Sequence, residues 1–438
     1  MYSYLKTIVF AIAAAGLSVI GCSPASDGQQ AVAPFRELVR LQASDGAPGD
    51  NFGYHLSLSA DGQTLAVGAY ARDCPTGENA GSVYVFANSN GSWIEQARLE
   101  GDDTVEDNEF GLVVGLSADG NTLVAGAPAS DNSAGYTAGS AYVFVRSGGK
   151  WMQQVRLQAN DAAQGARFGN VAISRDGNTI AVGAPRADTL GRFAVGLTYI
   201  FVRSGNDWTQ QARLEASDAQ SDSNFGVSVA LSSDGNTLAI SASNATNSAG
   251  PAAGSVYIFA RSGTTWSEQA RLQASDAAAG DAFGTRVALS ADGNTLGTGA
   301  YHARGSTGNA YVFFRTGTRW TEQAGLRARN ETAGDSFGTS PSLSADGNTF
   351  VVGTHLKDVS GAVDAGSAYV FVRSKGIWRE QTRLRASDAE AYDYFGLRVD
   401  ISGDANTLAV SAFGDNNSNG IDAGSVYIFT RTPPNTAQ

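Results

Sequence analysis

An all-β chain, folded as a seven-bladed propeller of four-stranded blades, is the architecture this sequence predicts. Three observations carry the prediction. Phe-Gly recurs at Phe52, Phe110, Phe168, Phe225, Phe283, Phe337 and Phe395, at intervals of 58, 58, 57, 58, 54 and 58 residues. Each interval holds four short apolar runs separated by turn residues, as expected when every repeat is one small sheet. The third observation lies at the two ends of the chain. Trp93, Trp151, Trp208, Trp266, Trp320 and Trp378 mark the fourth run of six units, but the last unit stops at Thr432-Pro433-Pro434 before reaching that slot. The segment 35–41 (FRELVRL) aligns with 93–99 (WIEQARL), so the N-terminal segment supplies the strand that the last unit lacks. An open solenoid needs capping repeats, whereas a ring whose ends complete each other does not. The predicted propeller spans 35–432.

Each run has its own physical reading. The run after Phe-Gly alternates and ends in a turn such as Ser59-Ala60-Asp61-Gly62-Gln63-Thr64. Asp-Gly there supplies the positive-φ residues of a tight hairpin. The second run, Leu65-Ala66-Val67-Gly68-Ala69, is built from small residues that suit a crowded axis. The third is apolar on both faces, Val83 and Val85 on one and Tyr84 and Phe86 on the other, which places it inside a stack of sheets. Strict alternation in the fourth puts Trp93, Glu95, Ala97 and Leu99 on one face and Gln96 and Arg98 on the other. That half-wet pattern fits an outer edge.

Composition bounds the function. The chain has 438 residues, 42% hydrophobic, enough for a large core and against wholesale disorder. A net charge of −12 offers no basic excess, so nucleic acid is not an expected partner. Two cysteines make no disulfide framework, and Cys74 reads as an incidental thiol. His55, His302 and His355 fall in different repeats, and no Ser/His/Asp set recurs. No Gly-rich phosphate loop leads from a strand into a helix. No catalytic residue is expected.

The first 21 residues carry one charge, Lys6, and an apolar run too short to span a bilayer comfortably. They read as a signal peptide. Val19-Ile20-Gly21-Cys22 resembles the bacterial lipoprotein signal, and the resemblance implies acylation of Cys22. Ser23 in place of Asp then implies sorting to the outer membrane of a Gram-negative cell. Residues 22–34 become a lipidated tether, and 433–438 form a short tail. The expected location is exported and lipid-anchored, at the outer membrane or cell surface.

The repeats themselves resemble a known family. Phe-Gly opens each unit, and Gly126-Ala127-Pro128 and Gly183-Ala184-Pro185 occupy the second strand, as in FG-GAP repeats. These build the seven-bladed propeller of integrin α subunits and of bacterial surface proteins. The resemblance implies binding or adhesion without catalysis, with a protein or glycan of the surface or envelope as partner. Integrin-type repeats carry an Asp-rich calcium loop where this chain has Ser-Ala-Asp-Gly-Asn-Thr, which is too short and too poor in oxygen ligands. Those calcium sites are not expected here, and no cofactor is required. An envelope assembly scaffold is a second reading. A hydrolase with carboxylates at the pore is a third.

Loops between second and third strands vary most and share one face, which is where binding usually lives. Candidate contact residues there are Asp73, Asp131, Arg186, Asp188, Arg192, Phe193, Tyr301, Arg304 and Asp358. In the last such loop Asp415, Asn417, Asn419 and Asp422 space oxygen side chains as a calcium loop does, though with only two carboxylates. One scaffold relationship is also expected. Arg40, Arg98, Arg156, Arg213, Arg271 and Arg383 are each followed five residues later by Asp, and the fifth segment changes both partners, to Gly325 and Asn330. Arg and Asp are therefore expected to pair, within or between blades.

Overall fold

The four runs of each repeat become one antiparallel sheet in the computed structural model, which describes residues 33–431 apart from Leu190. The signal segment, Cys22, the tether up to residue 32 and the tail lie outside the described residues. Seven four-stranded sheets form, as the repeat count requires. Blade 1 runs outward through His55–Leu58, Thr64–Ala69, Ser82–Ser89 and Ser92–Leu99. Blade 7 uses Val399–Ile401, Thr407–Ala412 and Ser425–Arg431, and takes its outer strand from Phe35–Leu41. That closing pair runs in register from Phe35 opposite Arg431 to Leu41 opposite Val426. The innermost strands meet in a closed cycle, with His55–Leu58 beside both Val113–Leu116 and Val399–Ile401. The loop of blade 5 adds one helical turn, Ala303–Ser306.

The core lies between blades. Val83, Val85 and Leu99 of blade 1 pack on Phe110, Tyr142 and Phe144 of blade 2. Within a blade the Phe-Gly ring packs edge-on against the third strand, Phe52 with Tyr84 at 5.5 Å and with Phe86 at 5.9 Å. Full burial of such a ring is worth about 2–3 kcal/mol, and the arrangement recurs in every blade.

The glycine before the third strand explains why Phe-Gly and Gly-Ser recur together. Gly81 sits at φ +86°, and a Cβ there would collide with the backbone of Phe110 in the next blade. Backbone meets backbone at this seam: Phe110 N–H donates to the Ala80 carbonyl at 3.1 Å.

One expectation needs correction. The fourth strand does not alternate strictly, because a bulge at Gln96 shifts the register: Ala97 lies opposite Val85 but Glu95 lies opposite Phe86. Trp93, Glu95 and Arg98 therefore share the face of Tyr84 and Phe86, toward the preceding blade. The extra residue leaves Gln96 to serve the following blade, where it accepts from the Trp151 indole N–H at 3.1 Å. Equivalent bonds join Trp208 to Gln154, Trp266 to Gln211, Trp320 to Gln269 and Trp378 to Gln323.

The expected pairing of Arg and Asp is present, and it takes the between-blade form. Arg98 binds Asp45, Arg156 binds Asp103, Arg213 binds Asp161, Arg271 binds Asp218 and Arg40 binds Asp388, each reaching the preceding blade. The same aspartates accept from third-strand tyrosines, as Tyr84 donates to Asp45 and Tyr142 to Asp103, both at 2.8 Å. Gly325 and Asn330 thus belong to two adjacent seams rather than to one lost pair. At the first, Arg327 stands in, 3.6 Å from Asp276. At the second, Asn330 still accepts from Tyr369 at 2.8 Å, while Arg383 is left with a buried Nη2 lacking any partner.

The predicted Asp-Gly turns close on themselves. In blade 2, Ser117 Oγ donates to Asp119, which also accepts from Asn121 N–H, while Thr122 N–H donates to Ser117 Oγ. Burial opposes ionisation of Asp119, but these bonds outweigh it and hold the carboxyl below its ordinary value. The aspartate at the place of the integrin-type calcium loop is a turn staple.

Candidate functional site on the loop face and in the channel

The variable loops do share one end of the propeller, but most of the acidic candidates have local work. Asp73 accepts from Asn79 N–H, Asp131 from Thr137, Asp188 from Ala194 and Asp358 from Asp364, in every case six residues along. These carboxylates hold their own loops in shape. Arg192 donates to the Ala219 carbonyl at 2.5 Å and lies 3.5 Å from Glu215, and Arg304 pairs with Glu331 at 2.5 Å. Tyr301 is half-buried with its ring 3.8 Å from that of His302. Arg186 and Phe193 remain outward-facing, Phe193 with 70% of its surface exposed.

The calcium-like loop is occupied by protein. Asp415 is buried against Arg40, Asn417 Nδ2 donates to the Gly424 carbonyl, and Asn419 Nδ2 donates to the Ala43 carbonyl. Asp422 has its backbone N–H on Asn416 Oδ1. No group of three or more His, Cys, Asp or Glu that could hold a metal occurs among the described residues. Cys74 is half-buried, 3.5 Å from both Ser82 Oγ and Glu100 Oε1, and burial pushes its thiol up, away from reactivity.

A different constellation gathers where blades 6, 7 and 1 meet. Tyr394 stacks on Phe413 at 5.1 Å, Phe413 meets Tyr54 at 5.7 Å, and Tyr54 meets Tyr70 at 4.5 Å. Tyr392 and Ile421, exposed at 54% and 70%, extend this arc outward. Tyr392, Tyr394, Phe413 and Ile421 line a groove of about 440 Å³. Tyr70 and Phe413 occupy the slot that holds Pro128 and Pro185 in other repeats, so comparison of repeats column by column is the signal that finds them.

Behind the arc lies the central channel, a cavity of about 270 Å³ walled by the first strands of all seven blades. One ring of equivalent positions near the loop face carries His55, Val113, Asn170, Ser228, Arg286, Ser340 and Arg398. The guanidinium of Arg398 lies 5.4 Å over the Tyr54 ring, joining channel and arc. Deeper in, Asp400 is the one carboxylate among the described lining residues. It accepts from Leu58 N–H, Ser342 Oγ and Ile401 N–H at 2.8–2.9 Å. Burial raises its pKa, opposed by those bonds and by Arg175. The carboxylate pair expected of a pore hydrolase is not assembled among the described residues.

These features agree with the comparison to known proteins. The FG-GAP repeat family matches the chain seven times, over 35–86, 93–144, 151–201, 208–259, 266–313, 320–371 and 378–429. Each match begins on the outer strand of one blade and ends on the third strand of the next. The chain therefore belongs to the FG-GAP repeat family of β-propellers, a fold consistent with binding or adhesion and typically non-catalytic. No curated protein matches the chain.

Proposed function

We propose that this protein is a non-catalytic binding module of the bacterial cell envelope, tethered through lipidated Cys22, that engages a surface protein or glycan with its loop face. The aromatic arc of Tyr54, Tyr70, Tyr392, Tyr394 and Phe413 carries the reading. Tyr392 is exposed and the other four rings are half-buried, and aromatic rings grouped in this way on a rigid scaffold supply contact area at low entropic cost and suit both sugar faces and apolar side chains. Membership of the FG-GAP family supports the same class of activity.

The test uses the mature chain immobilised over intact envelope fractions and an array of surface glycans. Retention should fall at least about tenfold for Tyr392→Ser combined with Phe413→Ser. It should be unchanged for Phe193→Ser in blade 3. The reverse pattern would move the contact to the blade 3 loop. For location, fatty-acid labelling should disappear in Cys22→Ala; labelling that persists refutes the anchor.

A further inference from the structure

The channel holds charge that the protein itself does not balance. Three arginines, Arg175, Arg286 and Arg398, line it against one aspartate, inside a chain of net charge −12. Arg175 and Asp400 act on one another at the inner end. Arg286 and Arg398 have no such counterpart. Burial and the Tyr54 side chain act on both and, on Arg398, so does the like charge of Arg286, with no carboxylate among these influences.

Arg398 is 5% exposed, so its guanidinium is withdrawn from water. Nη1 donates to the Leu397 carbonyl at 2.8 Å, whereas Nε is buried without any partner. A guanidinium does not shed its proton in a protein, so the charge remains. A buried ion without a counter-ion is strongly destabilising, and low-dielectric walls lend its field reach. That reach is visible in the neighbours: burial and then the charge of Arg398 lower the His355 pKa to about 4, and burial with both arginines pushes His55 well down. Neither histidine is positioned to compensate the arginines. Ser340, between the two arginines in the ring, already accepts from Val399 N–H at 3.2 Å.

We propose that the loop-face end of the channel binds one small oxyanion, held by the guanidinium groups of Arg286 and Arg398. Two forks of planar N–H donors match the geometry of a carboxylate, a phosphate or a sulfate. Free inorganic anions and the carboxylate of an organic ligand share this chemistry. The site rests on the channel wall and stands whether or not the aromatic arc binds a partner.

The experiment titrates inorganic phosphate, sulfate and acetate into the full mature chain in chloride buffer at constant ionic strength. Heat of binding and thermal midpoint are both followed. At least one anion should bind saturably and raise the midpoint by about 1–3 °C at saturation. Preference for acetate assigns a carboxylate ligand, and preference for phosphate or sulfate a tetrahedral one. Arg398→Gln and Arg286→Gln should each weaken that binding at least about tenfold. In chloride alone each should melt at or above the wild type, because a positive charge without a counter-ion is gone from the channel. Arg175→Gln, at the other end of the channel, should leave affinity within about twofold. If one glutamine variant fails to fold, the other and Arg286→Lys carry the test. No saturable heat with any of the three anions overturns the proposal. So does an equal response in wild type and variants, or a lowered midpoint of both glutamine variants in chloride, which would make the guanidinium groups structural.

Discussion

Arg98 is bonded to Asp45 of the preceding repeat, not to Asp103 five residues beyond itself in its own. The pairing makes each repeat dependent on its neighbour and turns the motif Trp-x-Glu-Gln-Ala-Arg-Leu into a seam. Trp donates to a Gln of the preceding blade and Arg to its Asp. Glu accepts from its loop, as Glu95 does from Ser44 N–H and Oγ. These bonds tie each blade to the one before it, so recurrence of this motif is the local expression of closure.

Removing one seam aspartate should therefore cost more than an exposed ion pair. Asp103 is half exposed and its bond to Arg156 alone is worth under about 1 kcal/mol. Tyr142, however, is fully buried, and Asp103 is its acceptor. Asp103→Ala is expected to destabilise by about 1–3 kcal/mol, and Asp103→Asn by less than about 1 kcal/mol. Asn330, which serves Tyr369 in the same slot, is the natural precedent for the milder change. Urea denaturation of the two variants separates the tyrosine bond from the ion pair, and equal losses would contradict the assignment.

Gly139 tests the close approach of blades. It sits at φ +88° with its absent Cβ aimed at the Phe168 backbone, whereas Gly149 sits at φ +78° with open space around it. Ala at either position takes on backbone strain of about 1 kcal/mol. Only Gly139→Ala also forces two blades apart, so its loss should reach about 3 kcal/mol or more. Thermal midpoints of the two variants compare the effects directly.

The fold was legible because it is stated seven times. The Phe-Gly period, the fourth-strand Trp and the complementary ends each point to the same ring, and none depends on fine geometry. The site was less legible. Asp73, Asp131, Asp188 and Asp358 stand out as charges in variable loops, yet an Asx bond to a backbone N–H six residues on is invisible in composition. Arg286 and Arg398 were hidden for the opposite reason. They stand just ahead of the first strands of blades 5 and 7, in runs read for apolar alternation, and only alignment with Val113, Ser228 and Ser340 singles them out. The bulge at Gln96 was unreadable because one extra residue leaves no mark of its own in a strand pattern.

Asp393 gives the protein a pH dependence of definite sign. It is fully buried, and burial, with Asp415, Glu390 and Asp388 nearby, raises its carboxyl to about 7. The folded value lies above the ordinary 3.8, so the native state keeps the proton longer than the unfolded chain. The contribution of this group is full below about pH 4, falls as pH rises toward 7, and is flat beyond. Relative to the wild type, Asp393→Asn should gain about 3 kcal/mol of stability between pH 4.5 and pH 8. Denaturant midpoints across that range give the difference curve, and a gap that is constant with pH would refute the titration.

The closing seam holds one repairable defect. Five tryptophans donate to a Gln of the preceding blade, but the Trp93 indole N–H is buried without a partner. The strand before it is Phe35–Leu41, and the slot that holds Gln96, Gln154 and Gln211 elsewhere holds Leu38, which is 44% exposed. Leu38→Gln would restore the acceptor while giving up an apolar side chain that is only partly buried. The variant is expected to be more stable by about 0.5–1.5 kcal/mol. The gain should vanish when Trp93→Phe is added, because a phenyl ring needs no acceptor. A gain that survives in the double variant would come from surface polarity at Leu38 and not from the indole. Ring closure by the N-terminal strand would then owe nothing to this hydrogen bond.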